Sequence, residues 1–204
     1  MFISFEGIDG SGKSTQARRL AQVLNARGTE TLLTREPGGS EGAEEIRRLL
    51  VEGRGERWSP ETELLLFTAA RRDHVERLIR PALARGAWIV TDRFADSSRV
   101  YQGLARADLR HLVEELHRLT IGIEPDRTFI IDIDPEVALA RGQARGGIED
   151  RFETLGLAFQ RRLREGFLAL AAEAPGRIHV IDGSGSEDEV AARVLAALSV
   201  EGPA

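Results

Sequence analysis

The residues best suited to chemistry lie in one glycine-rich loop, residues 7–14, which has the sequence GIDGSGKS. This sequence matches G-x-x-x-x-G-K-[ST], the pattern of a P-loop, in which backbone N–H groups surround phosphate oxygens. Lys13 is the only lysine in the chain. Its compact ammonium can reach triphosphate oxygens in a loop too tight for a broad guanidinium. The Ser14 hydroxyl suits a magnesium ion that bridges the phosphates, so the loop predicts a nucleoside triphosphate with Mg²⁺.

The predicted phosphate site comprises the whole loop and the residue that follows it. Its members are Gly7, Ile8, Asp9, Gly10, Ser11, Gly12, Lys13, Ser14 and Thr15. The loop does not identify the reaction by itself, because kinases, GTPases and other ATPases share it.

Short apolar runs alternate with helical patterns along the chain, which is typical of a parallel sheet with crossover helices. The runs predict strands over 2–6, 30–34, 87–91, 128–133 and 178–181. The helical patterns predict helices over 13–27, 41–52, 60–85, 97–103, 107–121, 135–144, 153–173 and 186–198. Pro81 is expected to kink or break the helix that contains it. We therefore predict one α/β domain over residues 1–204, with a P-loop NTPase fold and a five-stranded parallel sheet flanked by helices on both faces.

One segment, residues 141–151, is rich in arginine and glycine and poor in apolar residues. A short arginine-rich lid that closes over phosphates would have this composition. The ligands themselves should bind beyond the C-terminal ends of the strands, where open parallel sheets hold their ligands.

The composition of the chain argues against several classes of partner and site. The chain has 204 residues, no cysteine and a formal net charge of -5. This balance argues against a partner that is a nucleic-acid polymer, and the absence of cysteine excludes disulfides and thiolate zinc sites. The sequence has no apolar run long enough to span a bilayer and begins directly with a predicted strand, so we expect no membrane partner and a cytoplasmic location.

Three segments that follow predicted strands, together with the P-loop, carry a family resemblance. They are TREPGG at 34–39, DRF at 92–94 and YQG at 101–103. In these motifs and their spacing, over nearly the whole chain, the sequence resembles the thymidylate kinases. The resemblance implies transfer of the γ-phosphoryl group of ATP to dTMP, giving dTDP and ADP with Mg²⁺. It also implies a homodimer.

The resemblance assigns roles around the acceptor nucleotide, residue by residue. Asp9 is similar to the carboxylate that holds the 3′-hydroxyl, Tyr101 to the residue that excludes a 2′-hydroxyl, and Asp92 to a Mg²⁺ ligand through water. Arg35 and Arg93 are similar to the ligands of the acceptor phosphate, for which forked donors are suited. The remaining positions that resemble the nucleotide pocket are Glu36, Pro37, Arg47, Phe67, Arg71, Ser97, Ser98 and Gln102. Among these, Phe67 would stack on thymine, Arg71 would donate to O4, and Gln102 would pair with N3.

The catalytic arginine is predicted in the lid. Some thymidylate kinases carry it in the P-loop after the aspartate, but that position is Gly10 here. The resemblance then implies that the lid supplies it, and we expect Arg145 first and Arg151 second, with Arg141 packed on the adenine. Phe94 departs from the family motif, in which Tyr or His is commoner, so the polar contact of that hydroxyl or imidazole is not expected here.

Three other functions stay open at this point. A kinase of another nucleoside monophosphate is the nearest, although Tyr101, Gln102 and TREPGG argue against it. A GTPase switch would usually carry N-K-x-D, which a chain with a single lysine in its P-loop cannot contain. An ATPase module of a larger machine would not need arginines for an acceptor phosphate.

Overall fold

The computed structural model describes residues 1–52, 57–106, 108–145 and 156–199, and for 105, 106 and 143–145 it describes the backbone alone. In these ranges five parallel strands form one sheet in the order β2-β3-β1-β4-β5. The strands are β1 (Phe2–Glu6), β2 (Thr31–Arg35), β3 (Trp88–Asp92), β4 (Arg127–Asp132) and β5 (Ile178–Asp182). The predicted sheet is therefore confirmed, and every strand end lies within one residue of its predicted position.

Helices connect the strands, as crossovers between parallel strands require. The α-helices are α1 (Lys13–Ala26), α2 (Glu41–Val51), α3 (Pro60–His74), α4 (Arg80–Ala84), α5 (Ala95–Val100), α6 (Arg110–Leu116), α7 (Pro135–Arg145), α8 (Gly156–Glu173) and α9 (Glu187–Ser199). Three π-helical stretches, Val75–Ile79, Tyr101–Arg106 and His117–Ile121, extend α3, α5 and α6.

The core lies on both faces of the sheet. On one face, Ile3 and Phe5 of β1 pack with Leu20 of α1 and Val190 of α9. On the other, Ile130 of β4 packs with α8, while Phe2 and Ile89 pack against the elements near α3, α4 and α5. The three central strands, β1, β3 and β4, are covered on both faces, and the burial of their apolar side chains explains their almost continuous apolar sequences.

Pro81 does not break its helical segment, so that alternative of our expectation is wrong. The hydrogen-bond pattern instead widens before the proline, where the Arg80 N–H donates to the Val75 carbonyl. Pro81 then lies in the first turn of α4. A missing backbone N–H is tolerated there, because the first N–H groups of a helical stretch have no carbonyl partner within it.

The first part of the predicted lid, residues 141–145, forms the last residues of helix α7, which ends one residue beyond the helix predicted over 135–144. Residues 146–151 lie outside the described residues. None of the described helices is long and apolar enough to cross a membrane.

The parallel strands bring polar residues together at one edge of the sheet. Glu6, Arg35 and Asp92 stand at the C-terminal ends of β1, β2 and β3, and Asp92 lies in register with both Phe5 and Arg35. The P-loop leaves β1 at this same edge. The fold therefore places the predicted phosphate site and the predicted acceptor residues side by side.

Candidate functional site

At two positions of the P-loop a positive φ angle and close backbone neighbours together require glycine. Gly7 and Gly10 have φ angles of 134° and 81°. A Cβ on Gly10 would lie 2.0 Å from the Ala138 carbonyl oxygen of α7, and one on Gly7 would lie 2.7 Å from the Ile131 carbonyl oxygen. The glycines thus let α7 and β4 approach the loop closely, which leaves a concave backbone in front of the N-terminus of α1.

Four side chains meet in front of this loop. Arg93 Nη2 donates to Asp9 Oδ1 at 2.5 Å and to the Tyr101 hydroxyl at 3.1 Å. The Tyr101 hydroxyl donates to Asp9 Oδ2 at 3.1 Å, and Lys13 Nζ lies 3.4 Å from Asp9 Oδ1. Lys13 also donates to the Ile8 carbonyl at 3.3 Å. The structure therefore brings the predicted donor-side lysine and acceptor-side arginine onto one carboxylate.

Charge pairing dominates the electrostatics of this cluster. Burial alone would raise the pKa of Asp9, but the charges of Arg93 and Lys13 outweigh it and hold that pKa below its ordinary value. Burial lowers the pKa of Lys13, and Arg93 lowers it further against the opposing effect of Asp9. The site therefore holds two cations at close range, and Asp9, Asp92 and Glu6 favour the charged form of both. The lowered pKa of Lys13 shows that burial and Arg93 still outweigh these carboxylates at the lysine, where the negative charge of a phosphate would favour the ammonium.

Arg93 is held in an unusual conformation by the strands around it. Its φ is 72°, the left-handed region that an arginine adopts rarely, and its N–H donates to the Phe5 carbonyl at 2.9 Å. The next residues are anchored by Glu6, which accepts from the Phe94 N–H at 2.7 Å and from the Ser97 hydroxyl at 2.6 Å. Ser97 in turn accepts from Arg93 Nη1 at 2.9 Å. Glu6 therefore fixes the backbone that follows Arg93, and Ser97 fixes the guanidinium of Arg93.

Sequence analysis overlooked Glu6. The residue is fully buried at the end of an apolar strand, and burial together with Asp96 raises its pKa to about 7. A charged residue in an otherwise apolar strand next to a P-loop was the available signal, because a buried carboxylate requires hydrogen-bond donors from its surroundings.

A second group of predicted residues lines a cavity of about 360 Å³ beside the loop. Ser14, Arg35 and Asp92 all contribute to its wall. Arg35 is exposed and pairs with Glu44 at 3.1 Å. Asp92 Oδ1 is buried and accepts no hydrogen bond from the described part of the chain. An oxygen removed from water without a donor is suited to a cation or its water ligands, so Ser14 and Asp92 fit a Mg²⁺ ion.

The described residues contain no cluster of three or more acidic or histidine side chains that could hold a metal by itself. This is compatible with Mg²⁺, which is commonly bound through one or two protein oxygens together with waters and substrate phosphates.

Arg71 is fixed by a buried hydrogen-bond network. Its Nε donates to Glu36 Oε2 at 2.6 Å, Nη1 donates to Ser98 Oγ at 3.1 Å, and Nη2 donates to the Phe94 carbonyl at 3.0 Å. Glu36 Oε1 lies 3.1 Å from His74 Nδ1, which braces the carboxylate from its other side. Since a guanidinium has five N–H groups, two remain for a ligand. Glu36 thus contacts both Arg71 and His74. His74 belongs to this hydrogen-bond network, and sequence analysis did not identify it.

The remaining pocket residues lie around this network. Arg47 Nη1 donates to the Pro37 carbonyl at 2.6 Å, which ties α2 to the loop after β2. Phe67 is half-buried on α3, one turn before Arg71. Gln102 is buried, and its Nε2 donates to Glu63 Oε1 at 2.9 Å. Phe67 and Arg71 thus lie on α3 and Gln102 on the neighbouring segment Tyr101–Arg106, and their role as a base pocket stays a prediction.

The predicted lid arginines are only partly covered by the described residues. Arg141 is exposed on α7. Arg145 is the last residue of α7, and Arg151 lies outside the described residues. The assignments of Arg141, Arg145 and Arg151 stay predictions.

Comparison with known proteins identifies the family. The sequence profile of thymidylate kinase matches residues 5–194. The chain is 69% identical over 198 residues to a thymidylate kinase of Dinoroseobacter shibae, covering 97% of this chain and 96% of the relative. It is 65% identical over 191 residues to one of Jannaschia sp., covering 94% of this chain and 92% of the relative.

A solved structure agrees with the sequence comparisons. The crystal structure of thymidylate kinase from Ehrlichia chaffeensis is similar with a TM-score of 0.78 and 36% sequence identity, and the match covers 98% of each chain. The resemblance first seen in four short motifs is confirmed over the full fold: the chain belongs to the thymidylate kinase family.

Proposed function

We propose that the chain transfers the γ-phosphoryl group of ATP to dTMP, giving dTDP and ADP. The observation that carries this proposal is the contact of Lys13 and Arg93 with the same carboxylate, Asp9. A P-loop lysine serves the phosphoryl donor, and an arginine opposite it serves an anionic acceptor. Family membership makes the chain a phosphotransferase with ATP as donor.

The donor half consists of the P-loop and the cavity beside it. Backbone N–H groups of the loop and the N-terminus of α1 would bind the β- and γ-phosphates, with Lys13 as the mobile charge. Ser14 and Asp92 would hold Mg²⁺ and its waters. The ion would neutralise charge that develops on the transferred group.

The acceptor half consists of the base pocket and its arginines. Phe67 would stack on the thymine ring, and the two spare N–H groups of Arg71 would donate to O4. Tyr101, packed against Arg93, would exclude a 2′-hydroxyl, and Asp9 would accept from the 3′-hydroxyl. Arg35, Arg93 and Ser97 would bind the acceptor phosphate, with Glu36, Pro37, Arg47 and Ser98 shaping the pocket.

No strong general base is needed in this scheme. The attacking atom is a phosphate oxygen that is already anionic at neutral pH, so catalysis consists of alignment and charge neutralisation. Arg93 would hold the acceptor in line. Arg145, with Arg151 second, would stabilise the transition state when the lid closes and excludes water, and Arg141 would pack on the adenine.

The proposal includes a cytoplasmic homodimer. Large apolar side chains are exposed on several helical segments, among them Leu65 at 53% and Leu119 at 66%. Exposed leucines on neighbouring helices support a helical interface between copies. The relatives come from bacteria, which supports the cytoplasm as the location where the chain would meet both dTMP and ATP.

The proposed function is tested by measuring ADP release from ATP–Mg²⁺ with dTMP, dUMP, UMP, AMP and GMP as acceptors. We expect strong turnover with dTMP, weaker turnover with dUMP and little with the others. Preference for another monophosphate would contradict the base pocket but keep the phosphate site. ATP hydrolysis that no monophosphate stimulates would instead indicate a switch or an ATPase module.

Arg93→Ala is expected to raise the KM for dTMP by roughly 10- to 100-fold and to change the KM for ATP far less. The reason is that a hydrogen bond to a charged group contributes about 1.5–3 kcal/mol. Steady-state kinetics with each substrate varied in turn measure both constants. The control is Arg72→Ala, which removes an exposed arginine that contacts Glu76 and the Thr120 carbonyl. A variant with wild-type kcat and wild-type KM for dTMP would remove Arg93 from the acceptor site.

A further inference from the structure

A buried carboxylate lies behind the base pocket. Glu63 has no exposed surface and stands on α3 four residues before Phe67 and eight before Arg71. Residues at these spacings share one face of a helix. Glu63 Oε1 accepts from Gln102 Nε2 at 2.9 Å. The carboxylate therefore contacts the one pocket side chain whose two ends have opposite hydrogen-bonding character.

The chemistry of the pair determines which end of the Gln102 amide faces the pocket. The two ends of an amide look alike in shape, but only its NH₂ can donate. A carboxylate has acceptors and no donor, so Gln102 must turn its NH₂ toward Glu63. Its carbonyl oxygen is then directed away from Glu63, and no described residue donates a hydrogen bond to it.

Resting on the proposed function, we propose that Glu63 determines the pyrimidine specificity of the site by fixing the orientation of the Gln102 amide. The carbonyl oxygen that Glu63 leaves available accepts a hydrogen bond from the N3–H of a 2,4-dioxopyrimidine such as thymine. Cytosine carries no hydrogen at N3 and presents a lone pair there. The fixed orientation thus accepts thymine and rejects cytosine.

The rejection of cytosine depends on the rigidity of the amide. If Gln102 could turn over, its NH₂ would donate to N3 of cytosine, and the penalty would disappear. Because Gln102 and Glu63 are both buried, turning the amide would place its carbonyl oxygen against the carboxylate and leave two acceptors facing each other. Glu63 acts through Gln102 and is a positioning residue.

The test is Glu63→Gln, which keeps the size of the side chain but gives it a donor as well as an acceptor. Two facing amides can pair in either orientation, so Gln102 becomes free to present oxygen or NH₂. The measured quantity is the ratio of kcat/KM for dTMP to kcat/KM for dCMP. We expect it to fall roughly tenfold or more, since a mismatched buried polar group costs about 1–3 kcal/mol.

The amino group of cytosine also conflicts with the donor Arg71. This second mismatch is present in wild type and variant alike, so it cancels when the two ratios are compared. The matched control is Glu61→Gln, which makes the same chemical change at an exposed position two residues earlier on α3. The control is expected to keep the wild-type ratio. General damage to the fold would lower both activities and leave the ratio unchanged.

The outcomes separate this inference from the proposed function. Wild-type protein that does not prefer dTMP to dCMP would contradict the proposed function. Wild-type preference together with an unchanged ratio in folded Glu63→Gln, judged by its melting temperature, would overturn the role of Glu63. A second arm introduces Glu63→Gln into a Gln102→Leu background. A further change in the ratio there would show that Glu63 acts by another route.

Discussion

Lys13→Met should lower kcat by on the order of 10³ without lowering the melting temperature. The loss of kcat is expected because the lysine charge stabilises the transition state in a site that excludes water. Removing such a charge costs at least as much as removing one neutral hydrogen-bond donor. Burial lowers the pKa of Lys13, which means that the folded protein disfavours its charge. The contact between Lys13 Nζ and Asp9 Oδ1 is long, at 3.4 Å, so it offsets little of the free energy that burying the charge costs. The methionine removes the desolvated charge and keeps the chain length, so stability should be retained or increased.

The comparison variant is Lys13→Arg, which keeps the charge and changes its shape. Lys13 is 6% exposed and its ammonium already lies 3.3 Å from the Ile8 carbonyl, so a planar guanidinium has no room to point at the phosphates. We expect it to lose kcat nearly as severely as the methionine variant. Retention of a third or more of wild-type kcat by Lys13→Arg would show that charge alone matters. Stopped-flow or coupled ADP release, together with thermal unfolding, measures both properties.

The sheet could be predicted from the sequence because the strands are short, the central ones are rich in apolar residues, and a helical pattern separates each strand from the next. Phe2–Glu6, for example, is buried along its whole length. The helices were less predictable in detail. The π-helical stretch Val75–Ile79 depends on how hydrogen bonds shift before Pro81, and no periodicity of side chains records that shift.

Sequence motifs identified the predicted site residues, but they did not identify the residues that hold those side chains in place. Asp9, Lys13 and Arg93 were identified from the P-loop and from DRF. Glu6 and His74 were not, because each acts through a partner distant in sequence: Glu6 through Ser97, and His74 through Glu36. Such partners are set by strand order and helix packing, so they become visible only once the fold is known.

The helix α7 connects the P-loop to the predicted catalytic arginine. The Ala138 carbonyl lies against Gly10, the position where some thymidylate kinases carry an arginine instead. Position 145 is seven residues farther along the same helix, which corresponds to two turns and returns to the same face. Helix α7 is therefore anchored on the loop at one point and ends, on that same face, at the first arginine of the proposed transition-state pair.

Arg145→Ala is accordingly expected to lower kcat by on the order of 10³ or more, as loss of an arginine that stabilises a transferring phosphoryl group does in other P-loop enzymes. Its KM values should change little, because the charge it stabilises develops only in the transition state. Arg141→Ala, one turn earlier on the same face of α7 and exposed, is the matched comparison. It should raise the KM for ATP and leave kcat largely intact. A loss of kcat below tenfold in Arg145→Ala would exclude Arg145, and a large loss in Arg151→Ala would then transfer the role to Arg151.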